Sequence, residues 1–108
     1  MQYRIAVASR DGKAVNERFG GCEKFLIIEV GDKNAAWTFG GTRKVSGTGG
    51  EDEKSLDAAA DALGDCRLVL VSRIAPRAEA ALKRRGIDAL EYYGLIGDAM
   101  ELILEYYK

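Results

Sequence analysis

Bulky apolar residues alternate with smaller or polar ones at the start of the chain. Tyr3, Ile5 and Val7 fall on one side of an extended segment, and Arg4, Ala6 and Ala8 on the other. A period of two predicts a strand from Tyr3 to Ala8. Ser9 to Asn16 is polar and centred on Asp11-Gly12, so it reads as a loop. Phe25 to Val30 is a nearly continuous apolar run and predicts a second strand. Gly31-Asp32-Lys33-Asn34 is a turn sequence, and Ala35 to Gly40 is the return arm of a hairpin. Gly40 and Gly41 weaken the end of that arm or mark a bulge. Thr42 to Gly50 then reads as a loop.

The periodicity changes after residue 50. Glu51 to Leu63 predicts a helix, with acids in the first turn against the positive end of its dipole and Leu56, Ala59, Ala60 and Leu63 as one apolar stripe. Arg67 to Val71 is a short strand, apolar on both faces, as in the centre of a parallel sheet. Pro76 suits the first turn of a helix that Gly86 ends. Ile87 to Tyr92 is a further strand. Asp98 to Tyr107 is a last helix, with Ala99, Met100, Ile103 and Tyr107 inward. The order β-β-β-α-β-α-β-α predicts an α/β domain. A hairpin opening and two right-handed crossovers build a mixed sheet of about five strands with helices on its faces. At 108 residues this is a single domain, 1–108. It is large enough to bury a core without disulfides or a structural metal.

Charge narrows the reading. The net charge is −1, so the molecule as a whole has no bias toward nucleic acid or membrane. Residues 1–50 carry eight Lys/Arg and five Asp/Glu, and residues 51–108 carry eight and twelve. Any anion site is therefore local and built from loops. No apolar run approaches the roughly 18 residues of a membrane span. Met1 leads almost directly into a strand, and the expected compartment is the cytoplasm, where Cys22 and Cys66 are free thiols. The chain has no histidine, which removes Ser-His-Asp and Cys-His catalysis and His-ligated zinc.

Few carboxylates are placed for catalysis. Glu29, Asp88 and Glu91 are the acids inside strands, and the last two read as solvent-face residues of an edge strand. The stretch GTGGEDEKS (47–55) lacks the Gly-Lys-Ser/Thr ending of a phosphate loop, and its three acids would repel phosphate. Cys22 lies between a loop and a strand, where Arg18 and Lys24 would lower its pKa; the alternative is a small residue filling space beneath the loop. Cys66 reads as a small hydrophobe at the core edge.

The basic loop residues carry more. Arg10, Lys13 and Arg18 follow the first strand, Arg43 and Lys44 the third, and Arg73 and Arg77 the fourth, where a helix N-terminus also favours anions. If strands one and four are parallel neighbours, their loops open on one sheet edge, where α/β sheets bind ligands. The third strand's exit joins them only if it runs the same way. Ser9 to Asn16 and Thr42 to Gly50 are expected to be mobile without ligand.

The segments IAVASRDGKAVNERFGGCEKFLIIEV and DCRLVLVSRIAPRAEAALKRRGIDALEYYGLIGDAMELI resemble the nitrogenase iron–molybdenum cofactor biosynthesis family. That family includes cofactor carriers, the C-terminal domain of NifB and the orange proteins of sulfate reducers. The resemblance covers nearly the whole chain. It implies a ribonuclease-H-like three-layer domain and a non-catalytic carrier of an anionic metal–sulfur cluster, either an iron–molybdenum cofactor precursor or a molybdenum–copper sulfide. The cargo-binding residues it implies are Arg10, Lys13, Asn16, Arg18, Phe19, Gly20, Cys22, Ser72, Arg73 and Arg77. Donor or acceptor proteins would be the partners. The chain departs from the family pattern in three places. Arg18 stands where a histidine is common before Phe-Gly, Ser46 and Glu51 stand in the region of a usual Cys and His, and Ala75-Pro76-Arg77 replaces Gly-Pro-Gly. The cluster would then be held by charge and hydrogen bonds, with Cys22 as a possible thiolate ligand. Two other readings remain: a regulatory domain that kept the fold and lost cofactor binding, and a thiol redox protein using Cys22.

Overall fold

In the structure, a computed structural model describing residues 2–31, 36–49 and 52–107, the alternation of the first strand divides two cores. Strand β1 (Tyr3–Val7) points Ile5 and Val7 to one face of the sheet and Ala6, followed by Ala8, to the other. A two-residue strand β2 (Ala14–Val15) and a 3-10 turn (Phe19–Gly21) precede β3 (Lys24–Val30) and β4 (Trp37–Lys44). Helix α1 (Glu53–Ala62), β5 (Leu68–Val71), α2 (Pro76–Lys83), β6 (Asp88–Glu91), β7 (Gly94–Leu95) and α3 (Ile96–Tyr106) complete the order.

The main sheet has five strands in the order β4-β3-β1-β5-β6. β1 pairs in parallel with β5, and β5 with β6, while β3 runs antiparallel to both β1 and β4. The direction of β4 is therefore that of β1. Helices α1 and α2 cover one face through Leu56, Ala59, Ala60, Ala78, Ala81 and Leu82, which pack on Ala6, Phe25, Ile27, Val69 and Val71. Helix α3 covers the other face through Ile96, Ala99, Met100 and Ile103, packed on Ile5, Val7, Ile28, Leu68 and Leu70. β5 is buried on both faces, as its apolar sequence predicts. Among the described residues no helix is long and apolar enough to cross a membrane.

Three expectations change. The third strand of the main sheet does not end at Gly40. It continues to Lys44 through a bulge, where Leu26 pairs with Thr42 and Ile28 with Phe39. Gly41, at φ 100°, supplies the backbone angle of the extra residue. Arg43 and Lys44 thus lie within a strand. Secondly, β2 pairs with β7 in a separate ribbon, Ala14 opposite Leu95 and Val15 opposite Gly94. Two-residue strands are too short to show a period. Thirdly, Tyr107 follows the last helix, which starts two residues earlier than expected, at Ile96. The expected turn at 31–34 falls mostly outside the described residues.

The loop at 9–16 is internally tied. Asp11 Oδ1 accepts from the Lys13 and Ala14 amides at 2.9 and 3.1 Å, Ser9 Oγ accepts from Gly12 N–H, and Asn16 Oδ1 accepts from Arg10 N–H at 2.8 Å. These bonds give an Asp-Gly turn its shape. They also hold the Asp11 carboxyl below its usual pKa, the Lys13 amide being the largest cause.

Candidate functional site

β1, β4, β5 and β6 all run toward one edge of the sheet, and their exits gather there. Beyond the strands the two chief loops are stitched together. Ser72 N–H donates to Glu17 C=O at 2.9 Å and Phe19 N–H donates to Arg73 C=O at 3.0 Å. Arg18 and Arg73 are therefore held side by side by backbone, and both are exposed. The Phe19 ring turns inward and is buried, its centroid 5.8 Å from that of Phe25. The sheet core thus anchors the Arg-Phe-Gly tripeptide.

A third loop closes over this edge. Thr48, a buried polar residue, donates through its hydroxyl to Cys22 C=O at 2.6 Å. A Cβ on Gly49 would lie 2.8 Å from Gly20 C=O, so a side chain there would force the loops apart. Sequence reasoning missed Thr48, Gly49 and Leu56 as site residues. The available sign was Gly47-Thr48-Gly49, a small-residue run able to approach another backbone closely.

Two adjoining clefts result. One, of about 440 Å³, has Phe19, Gly20, Thr48, Leu56 and Ala78 on its walls and Arg77 at its rim. The other, of about 390 Å³, is lined by Arg18, Gly20, Arg73, Pro76 and Glu91 among others. Gly20 and Ala75 border both. Helix α2 begins between them with Ala75 as N-cap, without a side-chain cap, and Pro76 in its first turn. Its early N–H groups make this end favourable to an anion. Glu91 opposes that tendency: its Oε2 accepts from Ile74 N–H at 3.0 Å and puts one negative charge on the wall.

The ten sequence-predicted residues separate into groups. Arg18, Phe19, Gly20, Arg73 and Arg77 meet in the paired clefts. Arg10 and Cys22 border a different, shallower cleft of about 290 Å³ with Lys24 and Lys44. Arg10 pairs with Glu17 at 2.7 Å, and that carboxylate raises the guanidinium pKa. Asn16 spends its side-chain oxygen on the Arg10 amide. Lys13 lies beside the β2–β7 ribbon, its C=O accepting from Ile96 N–H at 2.9 Å. Ser72 is half-buried, its amide spent on Glu17. Arg43 binds Asp65 through two nitrogens, one at 2.9 Å, and donates to Ala62 C=O at the end of α1. Arg4, Arg84 and Arg85 also pair with acids. Among the described residues no acid pairs with Arg18 or Arg73.

Cys22 follows the space-filling reading and not that of an activated thiol, and Cys66 sits in the core edge as its sequence position predicts. Cys22 is buried, and its Sγ donates to Lys24 C=O at 3.0 Å. Burial is the largest cause and the Glu17 carboxylate adds to it; against a lowering contribution from the Lys24 backbone they push the thiol up to about 11. Cys66 is likewise buried and pushed up to about 11, chiefly by desolvation and then by Asp65. Both folded-state values lie above the ordinary 9.0, so the unfolded chain releases these protons first. Stability is full below pH 9 and should fall as pH rises toward 11. Denaturant midpoints measured across that range should drop less steeply in the double variant Cys22→Ala/Cys66→Ala. An equal slope in the double variant would assign the alkaline loss to other groups, such as Tyr107, which is raised to about 12 by burial.

The model for the family described as dinitrogenase iron-molybdenum cofactor matches residues 1–106. The chain belongs to that family. Its members are involved in biosynthesis or binding of the iron–molybdenum cofactor. Relatives include the "FeMo cofactor biosynthesis protein NifB" of Chlorobaculum tepidum, 32% identical over 96 residues, which cover 89% of this chain and 22% of that protein. The NifB of Frankia alni is 35% identical over 100 residues, covering 89% of this chain and 20% of the relative. The chain thus spans about a fifth of the length of these relatives. The apo orange protein of Desulfovibrio gigas has the same fold, with a TM-score of 0.65 at 20% identity, over 96% of this chain and 88% of that one.

Proposed function

We propose that this member of the dinitrogenase iron–molybdenum cofactor family is a non-catalytic carrier that holds an anionic metal–sulfur cluster without protein–metal bonds. The observation that carries the reading is the backbone stitching of Arg18 beside Arg73 at the sheet edge, with no acid paired to either among the described residues. Planar guanidinium groups donate several directed hydrogen bonds and stay charged at all relevant pH, which suits a sulfide-rich anion. Arg77 and the early N–H groups of α2 add to the same field.

The donor set favours charge over ligation. Histidine is absent from the chain, both thiols are buried and held protonated, and among the described residues no three Cys, Asp or Glu gather as a metal-ligand set. Arg10, Lys13, Asn16, Cys22 and Ser72 belong to the proposed binding region only as its outer supports. The strand order β4-β3-β1-β5-β6, a hairpin followed by two parallel crossovers, supports assigning the domain to the ribonuclease-H-like architecture. In this reading the cargo is an iron–molybdenum cofactor precursor or a molybdenum–copper sulfide, the partners are cluster donors and acceptors, and the compartment is the cytoplasm.

Glu91 favours a second reading, a regulatory domain of the same fold without cargo, because its carboxylate lies in the cleft beside the arginines. The deciding experiment is anaerobic incubation with tetrathiomolybdate, with and without Cu(I), followed by desalting. The carrier reading expects molybdenum and sulfide-to-metal absorption bands to elute with the protein. Colourless, metal-free protein under both conditions would favour the regulatory domain.

A further inference from the structure

Strand β6 closes the main sheet on the side away from β4, and nothing among the described residues pairs with its outer edge. Asp88 N–H donates to Arg67 C=O at 3.0 Å and Tyr92 N–H to Val71 C=O at 2.8 Å. Backbone groups alternate sides along a strand, so the N–H and C=O groups of Ala89 and Glu91 face outward. The edge does not stand on a convex surface. It forms the floor of a trough of about 590 Å³, with Glu79 and Lys83 of α2 on one bank and Leu102 and Tyr106 of α3 on the other. Leu90 is 37% exposed, Leu102 57% and Tyr106 80%, which is a large apolar surface for two neighbouring elements of so small a domain.

Charge selects the occupant. Among the described residues Glu79, Asp88 and Glu91 line the trough with Lys83 as the one cation in the lining. Asp88 accepts from the Tyr107 hydroxyl at 3.0 Å and Glu91 from the Ile74 amide, and neither carboxylate is paired with a cation among the described residues. Arg67 stacks over the Tyr107 ring at 4.5 Å and contributes the positive charge near the Asp88 end. A second copy fits poorly. A two-fold antiparallel pairing through the outward groups of Ala89 and Glu91 would bring two linings of the same net negative charge against each other.

We propose that the β6 trough docks an extended segment of a partner protein, of alternating basic and apolar residues, which adds to the sheet as a sixth strand. Outward N–H and C=O groups at Ala89 and Glu91 supply the ladder, Leu90, Leu102 and Tyr106 receive the apolar side chains, and the acids receive the basic ones. The trough shares Glu91 with the arginine cleft, so the docked segment would lie beside that cleft. The inference does not depend on what the cleft carries.

The probe is a pair of capped peptides, one alternating Lys and Val and one alternating Glu and Val, titrated into isotopically labelled protein while amide shifts are recorded. The basic peptide should shift Ala89, Glu91, Leu102 and Tyr106 and bind at least tenfold more tightly than the acidic one. Ala89→Pro removes an outward N–H without touching the β5–β6 ladder, and Leu102→Lys adds charge of the wrong sign on the surface. Each should weaken the basic peptide several-fold while leaving the spectrum of the free protein otherwise intact. Equal binding of the two peptides, shifts confined to other surfaces, or undiminished binding in both variants would overturn the proposal. So would absence of binding to either peptide at millimolar concentration, or concentration-dependent self-association that shifts the β6 amides.

Discussion

Arg18→Ala and Arg73→Ala should each lower retention of a tetrathiomolybdate-derived cluster about tenfold, and the double variant by about a hundredfold. A charge-assisted hydrogen bond in a site that excludes water is worth about 1.5–3 kcal/mol, and about 1.4 kcal/mol corresponds to a factor of ten. Both arginines are exposed, so the lower part of that range applies and added salt should weaken binding further. Cys22→Ser should retain cluster, because the wild-type thiol points at Lys24 C=O and is held protonated by burial. The measurement is bound molybdenum per protein after anaerobic desalting at low and high salt. Loss of cluster in Cys22→Ser with full retention in both arginine variants would show a thiolate-ligated site and refute the electrostatic account. Lysine at position 18 or 73 should restore less than half of the lost affinity on a logarithmic scale, since an ammonium cannot reproduce the planar fork.

Phe19→Ala should cost about 3–5 kcal/mol of folding stability, the range for deleting a buried aromatic side chain. The ring is 1% exposed and packs against Phe25 within the core shared by α1, α2 and the sheet. In a domain of this size that loss lowers the melting temperature by well over ten degrees. The same substitution should also reduce cluster retention in the fraction that stays folded, because the ring anchors the turn that carries Arg18. Thermal unfolding followed by circular dichroism, paired with the desalting assay at low temperature, separates the two effects. A melting temperature within two or three degrees of the parent would mean that the ring does not hold the loop to the core. Phe19→Leu keeps most of the apolar volume and should fall between the two.

The site was only partly legible in the chain. The tripeptide Arg18-Phe19-Gly20 and the segment Ser72–Arg77 stood out because each follows an apolar strand, and the structure stitches them together through Glu17, Phe19, Ser72 and Arg73. Arg10 looked equivalent to Arg18 and Arg73 in sequence, and Arg43 joined them only if its strand ran the same way. Their acids, Glu17 and Asp65, reach them only after folding, and Asp65 lies 22 residues from Arg43. Cys22 appeared flanked by cations, yet the side chain turns inward, where desolvation decides its proton. Thr48 and Gly49 carried no chemical mark of their own; they matter because a third loop is laid across the first.

What the sequence determined by itself was the order and character of the long elements, since a period of two or of 3.6 is written in neighbouring residues and needs no tertiary information. It also determined the absence of imidazole chemistry, because no histidine is available to supply it. What only the tertiary structure decided was everything that depends on residues far apart in the chain. The bulge that extends β4 to Lys44, the β2–β7 ribbon, the pairing of some arginines and not others, and the open trough beside β6 all arise from strand register and helix packing. The physical reason is that local pattern fixes which face of an element is apolar, while partners, burial and proton affinity are set by what the fold brings against that face.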